Sequence, residues 1–176
     1  NIKNKLMSYH EHSDVKTRKF IIDEIENGKN VSLVSDAGTP LISDPGYKLV
    51  KELKKRNLRV TSCPGPSSPI VAITLSGLPS DKFFFSGFLP VKVKAKKDYL
   101  EELKNIKSTL IFFESSNRII KTLGTILEIF GNRQISICRE LTKKFEEIIT
   151  SKITEVIKEL SLRENIKGEI IIIVEG

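Results

Sequence analysis

The segment at residues 31–46, VSLVSDAGTPLISDPG, constrains the fold of this chain more than any other. It opens on Val31-Ser32-Leu33-Val34-Ser35, apolar and β-branched in the way a buried strand requires. At Asp36 the run breaks into a loop carrying Gly38, Pro40, Pro45 and Gly46. A helical pattern follows at once, with Tyr47, Leu49, Val50 and Leu53 at helical spacing. Strand, Gly/Pro loop and helix in that order put the loop at the carboxyl end of a parallel strand, where open α/β sheets hold ligands. The glycines do not follow GxGxxG spacing, and no Gly-Lys-Ser/Thr comes after them. An ordinary dinucleotide fingerprint and a P-loop are thereby excluded, while a nucleotide-like ligand stays open.

The same alternation continues along the chain. Ser13 is a good N-cap for a helix over 14–26, which Asn27-Gly28 stops. After the strand at 31–35 come a helix over 46–56 and a strand over 58–63, closed by Pro64-Gly65-Pro66. A helix over 67–76 ends at Gly77. The turn cluster Gly77-Leu78-Pro79-Ser80-Asp81 is the best boundary, giving domains at 1–79 and 80–176. Beyond it the pattern predicts strands at 82–89, 109–113, 135–139, 146–150 and 169–175. Helices are predicted at 92–107, 117–130 and 154–160. The strands flanking Thr142–Phe145 are joined too tightly for a crossover helix, so they form an antiparallel hairpin. The expected fold class is α/β: two α/β domains with a cleft between them, the first mainly parallel and the second a mixed sheet.

Composition bounds the partners. A net charge of +7 fits an anionic partner, nucleic acid first, with a uniformly Lys-rich composition as the plainer source. Cys63 and Cys138 show neither metal nor disulfide spacing, so they read as small apolar fillers in a reducing cytosol. The longest apolar run, at 170–174, is far short of the ~20 residues a membrane helix needs. No signal peptide is visible, and a start at Asn1 with Met7 as the only methionine reads as a piece of a longer protein.

Four loops could carry chemistry. In Asp36-Ala37-Gly38-Thr39-Pro40, Gly38 lets backbone approach a ligand and Asp36 can accept from ligand hydroxyl or amino groups. Pro64-Gly65-Pro66-Ser67-Ser68 opens a helix with two hydroxyls and free amides facing the same sheet edge. Phe112-Phe113-Glu114-Ser115-Ser116-Asn117-Arg118 ends an apolar strand in a carboxylate and an arginine. The aromatic suits base stacking and Arg118 suits phosphate. Arg139-Glu140-Leu141-Thr142-Lys143-Lys144 is a mixed-charge strand tip that can set Lys143 or Lys144 over an anion. Lys92, Lys94, Lys96 and Lys97 start a helix against its dipole, which makes them candidate RNA contacts or a solvated face. His10 and His12, with no third ligand nearby, suit hydrogen bonding better than a metal, and no metal is expected.

Taken together, SDAGTPLISDPGY, PGPSS, GLPSDKF with GFLP, TLIFFESSNR, RELTKKFEE and KGEIIIIVEG resemble the small-subunit ribosomal RNA methyltransferase I family, within the tetrapyrrole methylase superfamily. The resemblance implies S-adenosylmethionine as methyl donor, a homodimer, and 2′-O-methylation of a cytidine in the decoding region of 16S rRNA. It implies two α/β domains with the donor in their cleft. Donor contacts would fall on Asp36, Ala37, Gly38, Thr39 and Pro40, on Ser67 and Ser68, on Phe113 and Glu114, on Leu141 and Thr142, and near Gly168. Arg118, Arg139, Glu140, Lys143 and Lys167 would lie nearer the RNA or support the cleft, and Lys144 joins the RNA contacts. The family opens with a strand, a Pro-Ile-Gly-Asn-Leu loop and a Glu-Asp-Thr-Arg segment that do not precede Asn1, so the first domain is expected to be truncated. A ribose hydroxyl is a poor nucleophile, and the candidates to activate it are Glu114, Glu140, Lys143 and His12. The alternatives are another enzyme of the superfamily, acting on a tetrapyrrole or a protein histidine, and a non-catalytic RNA-binding module.

Overall fold

The computed structural model describes residues 4, 6–10 and 15–176. Its elements in chain order are α1 (Val15–Glu26), α2 (Tyr47–Lys55), α3 (Ser68–Leu75), β1 (Phe83–Phe88), α4 (Val93–Leu103), β2 (Thr109–Ser115), α5 (Ile119–Phe130), β3 (Gln134–Arg139), β4 (Glu147–Lys152), α6 (Ile153–Ser161) and β5 (Glu169–Val174). The chain divides after Ser67 into two compact units.

A single mixed sheet of order β1-β2-β5-β3-β4 organises the second unit. β1 and β2 run parallel around α4, and the other pairings are antiparallel. β3 and β4 form the tight hairpin read from the sequence. β5 reads Glu-Ile-Ile-Ile-Ile-Val because a central strand is covered on both faces. Strand alternation sorts the core. Leu110, Phe112, Ile135, Ile137, Ile170 and Ile172 face α4, α5 and α6, which bring Leu100, Leu123, Ile126 and Val156. Ile111, Cys138, Ile171 and Ile173 face the other way, onto Ala72 and Ile73 of α3. Each aliphatic side chain fully buried this way contributes about 1.5–3 kcal/mol.

The first unit has a smaller core, in which α1 and α2 meet through Ile21, Ile22, Leu49 and Leu53. The strands expected at 31–35 and 58–63 do not form. Both segments are irregular, with Val31 47 % and Val34 73 % exposed. Parallel pairing is favoured only where several strands are covered on both faces. Two short runs beside two helices do not provide that cover. Cys63, expected as an apolar filler, is exposed, whereas Cys138 is buried. No helix among the described residues is long and apolar enough to cross a membrane.

Candidate functional site

In the first unit a hydrogen-bonded turn shapes the loop after Ser35. The Ser35 hydroxyl lies 3.1 Å from the carbonyl oxygens of both Ala37 and Gly38. Thr39 Oγ1 donates to the Pro66 carbonyl at 2.8 Å, tying two loops that stand 27 positions apart in sequence. Gly38 has φ +73°, a left-handed conformation that favours glycine, and its missing Cβ would stand 3.9 Å from the Pro66 oxygen. Leu41 and Ser43 also take positive φ, 74° and 60°, a strain that clusters where loops clamp ligands. Asp36, Ala37 and Gly38 are exposed, and Thr39 and Pro40 are half-buried. The Asp36 carboxylate is therefore open to a ligand's hydroxyl or amino groups. Ser67 closes this unit, and Ser68 opens α3 in the second.

In the second unit the register gathers the remaining loops at one sheet edge. Phe88 stands beside Phe113, Ser115 beside Glu169, and Arg139 beside Ile170. Phe113 and Leu141 share the α3 face, where Phe85 and Phe88 meet Phe113 edge-on at 4.9 and 5.3 Å. Glu114, one residue on, points to the opposite face and is 2 % exposed. Glu114 and Phe113, both expected among the donor contacts, thus turn their side chains to opposite faces of the sheet. Both Glu114 oxygens are engaged: Oε1 by the Ser115 amide and Arg118 Nη2, each at 2.7 Å, and Oε2 by the Thr122 hydroxyl at 2.5 Å. The carboxylate is buried and tied on both oxygens, which sets it to hold Arg118 and Thr122 in place.

The β3–β4 tip is built around Glu140. Glu140 and Thr142 take left-handed φ of 50° and 63°. Glu140 Oε1 accepts the Glu169 amide at 2.9 Å, an approach that Gly168 permits. A Cβ on Gly168 would fall 2.5 Å from Glu140 Cγ, at φ +101°. Lys143 Nζ bridges Glu140 Oε1 at 3.1 Å and Glu169 Oε2 at 3.0 Å. The Glu169 amide, then Lys143, hold the Glu140 carboxyl below the usual range, while Glu169 and Glu140 raise the Lys143 ammonium. Both carboxylates favour the protonated form of Lys143. Arg139 supports the fold: its Nε meets Glu147 Oε2 at 2.8 Å and its Nη1 the Lys167 carbonyl at 3.2 Å. Arg163 grips both Glu147 oxygens at 2.8 Å each, and with Arg139 pulls that carboxyl down to about 2.

The basic run divides. Lys92 and Lys94 are exposed, and Lys97 pairs with Glu128 at 2.6 Å. Lys96 is 4 % exposed, which corrects its expected place among the RNA contacts: burial on the α5 side keeps it from any surface partner. Lys144 is exposed, with its ammonium 5.5 Å from the Phe145 ring centroid. His12 lies outside the described residues. Among the described residues no group of three His, Cys, Asp or Glu is placed to hold a metal ion. Sequence reading missed Thr122, Glu147 and Arg163.

The family model of tetrapyrrole (corrin/porphyrin) methylases matches residues 4–157. The chain belongs to this family. It is 53 % identical over 175 residues to the ribosomal RNA small subunit methyltransferase I of Rickettsia prowazekii, covering 99 % of this chain and 62 % of that one. It is 40 % identical over 177 residues to the protein of the same name from Escherichia coli O157:H7, covering 99 % of this chain and 62 % of that one. The chain therefore spans about three fifths of the length of these curated relatives. Among solved structures, the methyltransferase CobJ superposes with a TM-score of 0.67 at 15 % identity, over 94 % of this chain and 72 % of that one. Uroporphyrin-III C-methyl transferase from Thermus thermophilus, complexed with S-adenyl homocysteine, gives 0.54 at 15 % identity, over 90 % and 71 %. At such identities the structures show the fold.

Proposed function

We propose that this protein is part of an S-adenosylmethionine-dependent methyltransferase that methylates the 2′-hydroxyl of a cytidine in the decoding region of 16S rRNA. The reading includes a cytoplasmic homodimer, with the small ribosomal subunit as substrate. One observation carries it: 40–53 % identity, over almost the whole chain, to relatives named ribosomal RNA small subunit methyltransferase I. The net charge of +7 supports an anionic substrate.

The Asp36 loop fits the donor's chemistry, since an exposed carboxylate beside a left-handed glycine offers an acceptor and a close backbone approach. We assign Asp36, Ala37, Gly38, Thr39, Pro40, Ser67, Ser68, Phe113, Leu141, Thr142 and Gly168 to donor binding, and leave Glu114 out. The bound donor supplies an electrophilic methyl group. This chain's residues position the ribose oxygen, which must stand at a near-attack distance of ~3–3.5 Å. The Lys143 ammonium, fixed between Glu140 and Glu169, donates to the ribose oxygen and orients it, and the hydroxyl proton passes to solvent water as the methyl group is received. Arg118 and the exposed Lys92, Lys94 and Lys144 take phosphates, which orient the RNA without reading its sequence. The test is mass mapping of 16S rRNA from a strain lacking the gene, with and without the full-length gene restored. The reading expects one ribose-methylated cytidine to vanish and return. An unchanged methylation pattern would refute it.

A further inference from the structure

Helix α4 carries a lysine where its packing face calls for an apolar side chain. Lys96, Leu100 and Leu103 stand at i, i+4 and i+7, and all three are buried. From that face the Lys96 ammonium donates to Thr122 Oγ1 at 2.5 Å, and Thr122 Oγ1 donates to Glu114 Oε2 at 2.5 Å. Lys96 Nζ itself lies 3.7 Å from that carboxylate. On its other oxygen Glu114 accepts Arg118 Nη2 at 2.7 Å, while Arg118 Nε donates to Ser115 Oγ at 2.7 Å. The guanidinium is thus held at two points, and its Nη1 is the part these bonds leave unused.

Stability does not account for this arrangement. A buried ion pair is often no better than a well-packed apolar pair of the same volume. The charge count is more informative. Burial pulls the Lys96 ammonium below its ordinary range and Glu114 opposes that; with Lys96 and Arg118 both charged, two cations share one carboxylate and the network carries one positive charge more than it cancels. With Lys96 drawing on the Glu114 field from behind, the partly exposed Arg118 keeps an attraction for an outside anion. Without Lys96, Glu114 and Arg118 would form a closed neutral pair.

We propose that Lys96 is a positioning residue, which sets the orientation and effective charge of Arg118 through Thr122 and Glu114 although it never touches RNA itself. The inference rests on the reading that Arg118 meets an RNA phosphate. The test is a double-mutant cycle in the full-length protein, with affinity for unmodified 30S subunits measured from low to high salt. R118Q should weaken binding and flatten the log–log salt slope by about 0.7–0.9, the share of one phosphate contact. K96M should move affinity and slope in the same direction, and K96M/R118Q should bind no worse than R118Q alone. Binding by K96M as tight as wild type, or losses that multiply in the double variant, would overturn the inference and leave the RNA reading standing. R118Q binding as wild type would overturn the assignment of Arg118 to RNA, and this inference with it. Absence of salt-dependent binding by wild type would overturn the RNA reading itself. Thermal melts check that each variant folds. Should K96M not fold, K96Q, which removes the charge and keeps a polar side chain able to meet Thr122, takes its place in the cycle under the same outcomes.

Discussion

The two units of this protein use their sequence in opposite ways. In the second, nearly every apolar residue of β2, β3 and β5 is locked between helices, and the loops at the sheet edge are pinned by ion pairs. In the first, the segment richest in motifs is among the least packed. Gly38, Leu41, Ser43 and Gly46 all take positive φ, and among the described residues four buried apolar side chains form the core. Motif density therefore marks where a ligand is met, and hydrophobic period marks where the chain is held together. The contrast can be broken by substitutions that affect stability in one unit and ligand in the other.

The largest effect is expected at Phe112, wholly buried beneath α5. Phe112→Ala should cost about 3–5 kcal/mol in chemical denaturation, by lost transfer energy and a residual cavity. A loss under 1 kcal/mol would show that the sheet is not the scaffold. Gly168→Ala comes next, because it adds a Cβ 2.5 Å from Glu140 Cγ at a positive φ. It should cost about 1–3 kcal/mol, by strain at the loop, and a neutral result would contradict the Glu140–Glu169 geometry.

Glu147 gives a smaller and pH-dependent effect. Its carboxyl is depressed from 4.5 to about 2, first by Arg163 and then by Arg139. Its contribution is full above pH 4.5, and it is lost as the pH falls toward 2. Discounted for partial exposure, Glu147→Gln should cost about 1–2 kcal/mol at neutral pH. It should also remove that part of the acid limb of a stability–pH curve. An identical acid limb in the variant would show that these arginines do not hold the carboxylate. The smallest effect on stability is expected at Asp36. Its exposed side chain predicts a change within about 0.5 kcal/mol for Asp36→Ala. Donor affinity by calorimetry on the full-length protein should nevertheless fall about 10–100-fold, the worth of a charged hydrogen bond.

Much of this was legible in the residues. The 3.6 and 2.0 periods, together with caps and Gly/Pro stops, located α1 to α6 and the strands of the second unit, because most of those elements bury one face or two. The segments at 31–35 and 58–63 carry strand composition, but a strand exists only through a partner, and pairing is non-local. The burial of Glu114 was available too: it has the same parity as Leu110 and Phe112 in β2. Lys96 likewise follows the stripe of Leu100 and Leu103. In both cases charge obscured position. The grip of Arg163 on Glu147 joins residues 16 apart, with no periodic relation to announce it.

The second unit is the cooperative scaffold, and the segments expected as strands in the first carry no ladder. Native-state hydrogen exchange on this chain tests it most directly. Amides of β2, β3 and β5 should exchange only through global unfolding, while those at 31–35 and 58–63 exchange orders of magnitude faster. Equal protection of residues 31–35 and β5 would contradict it.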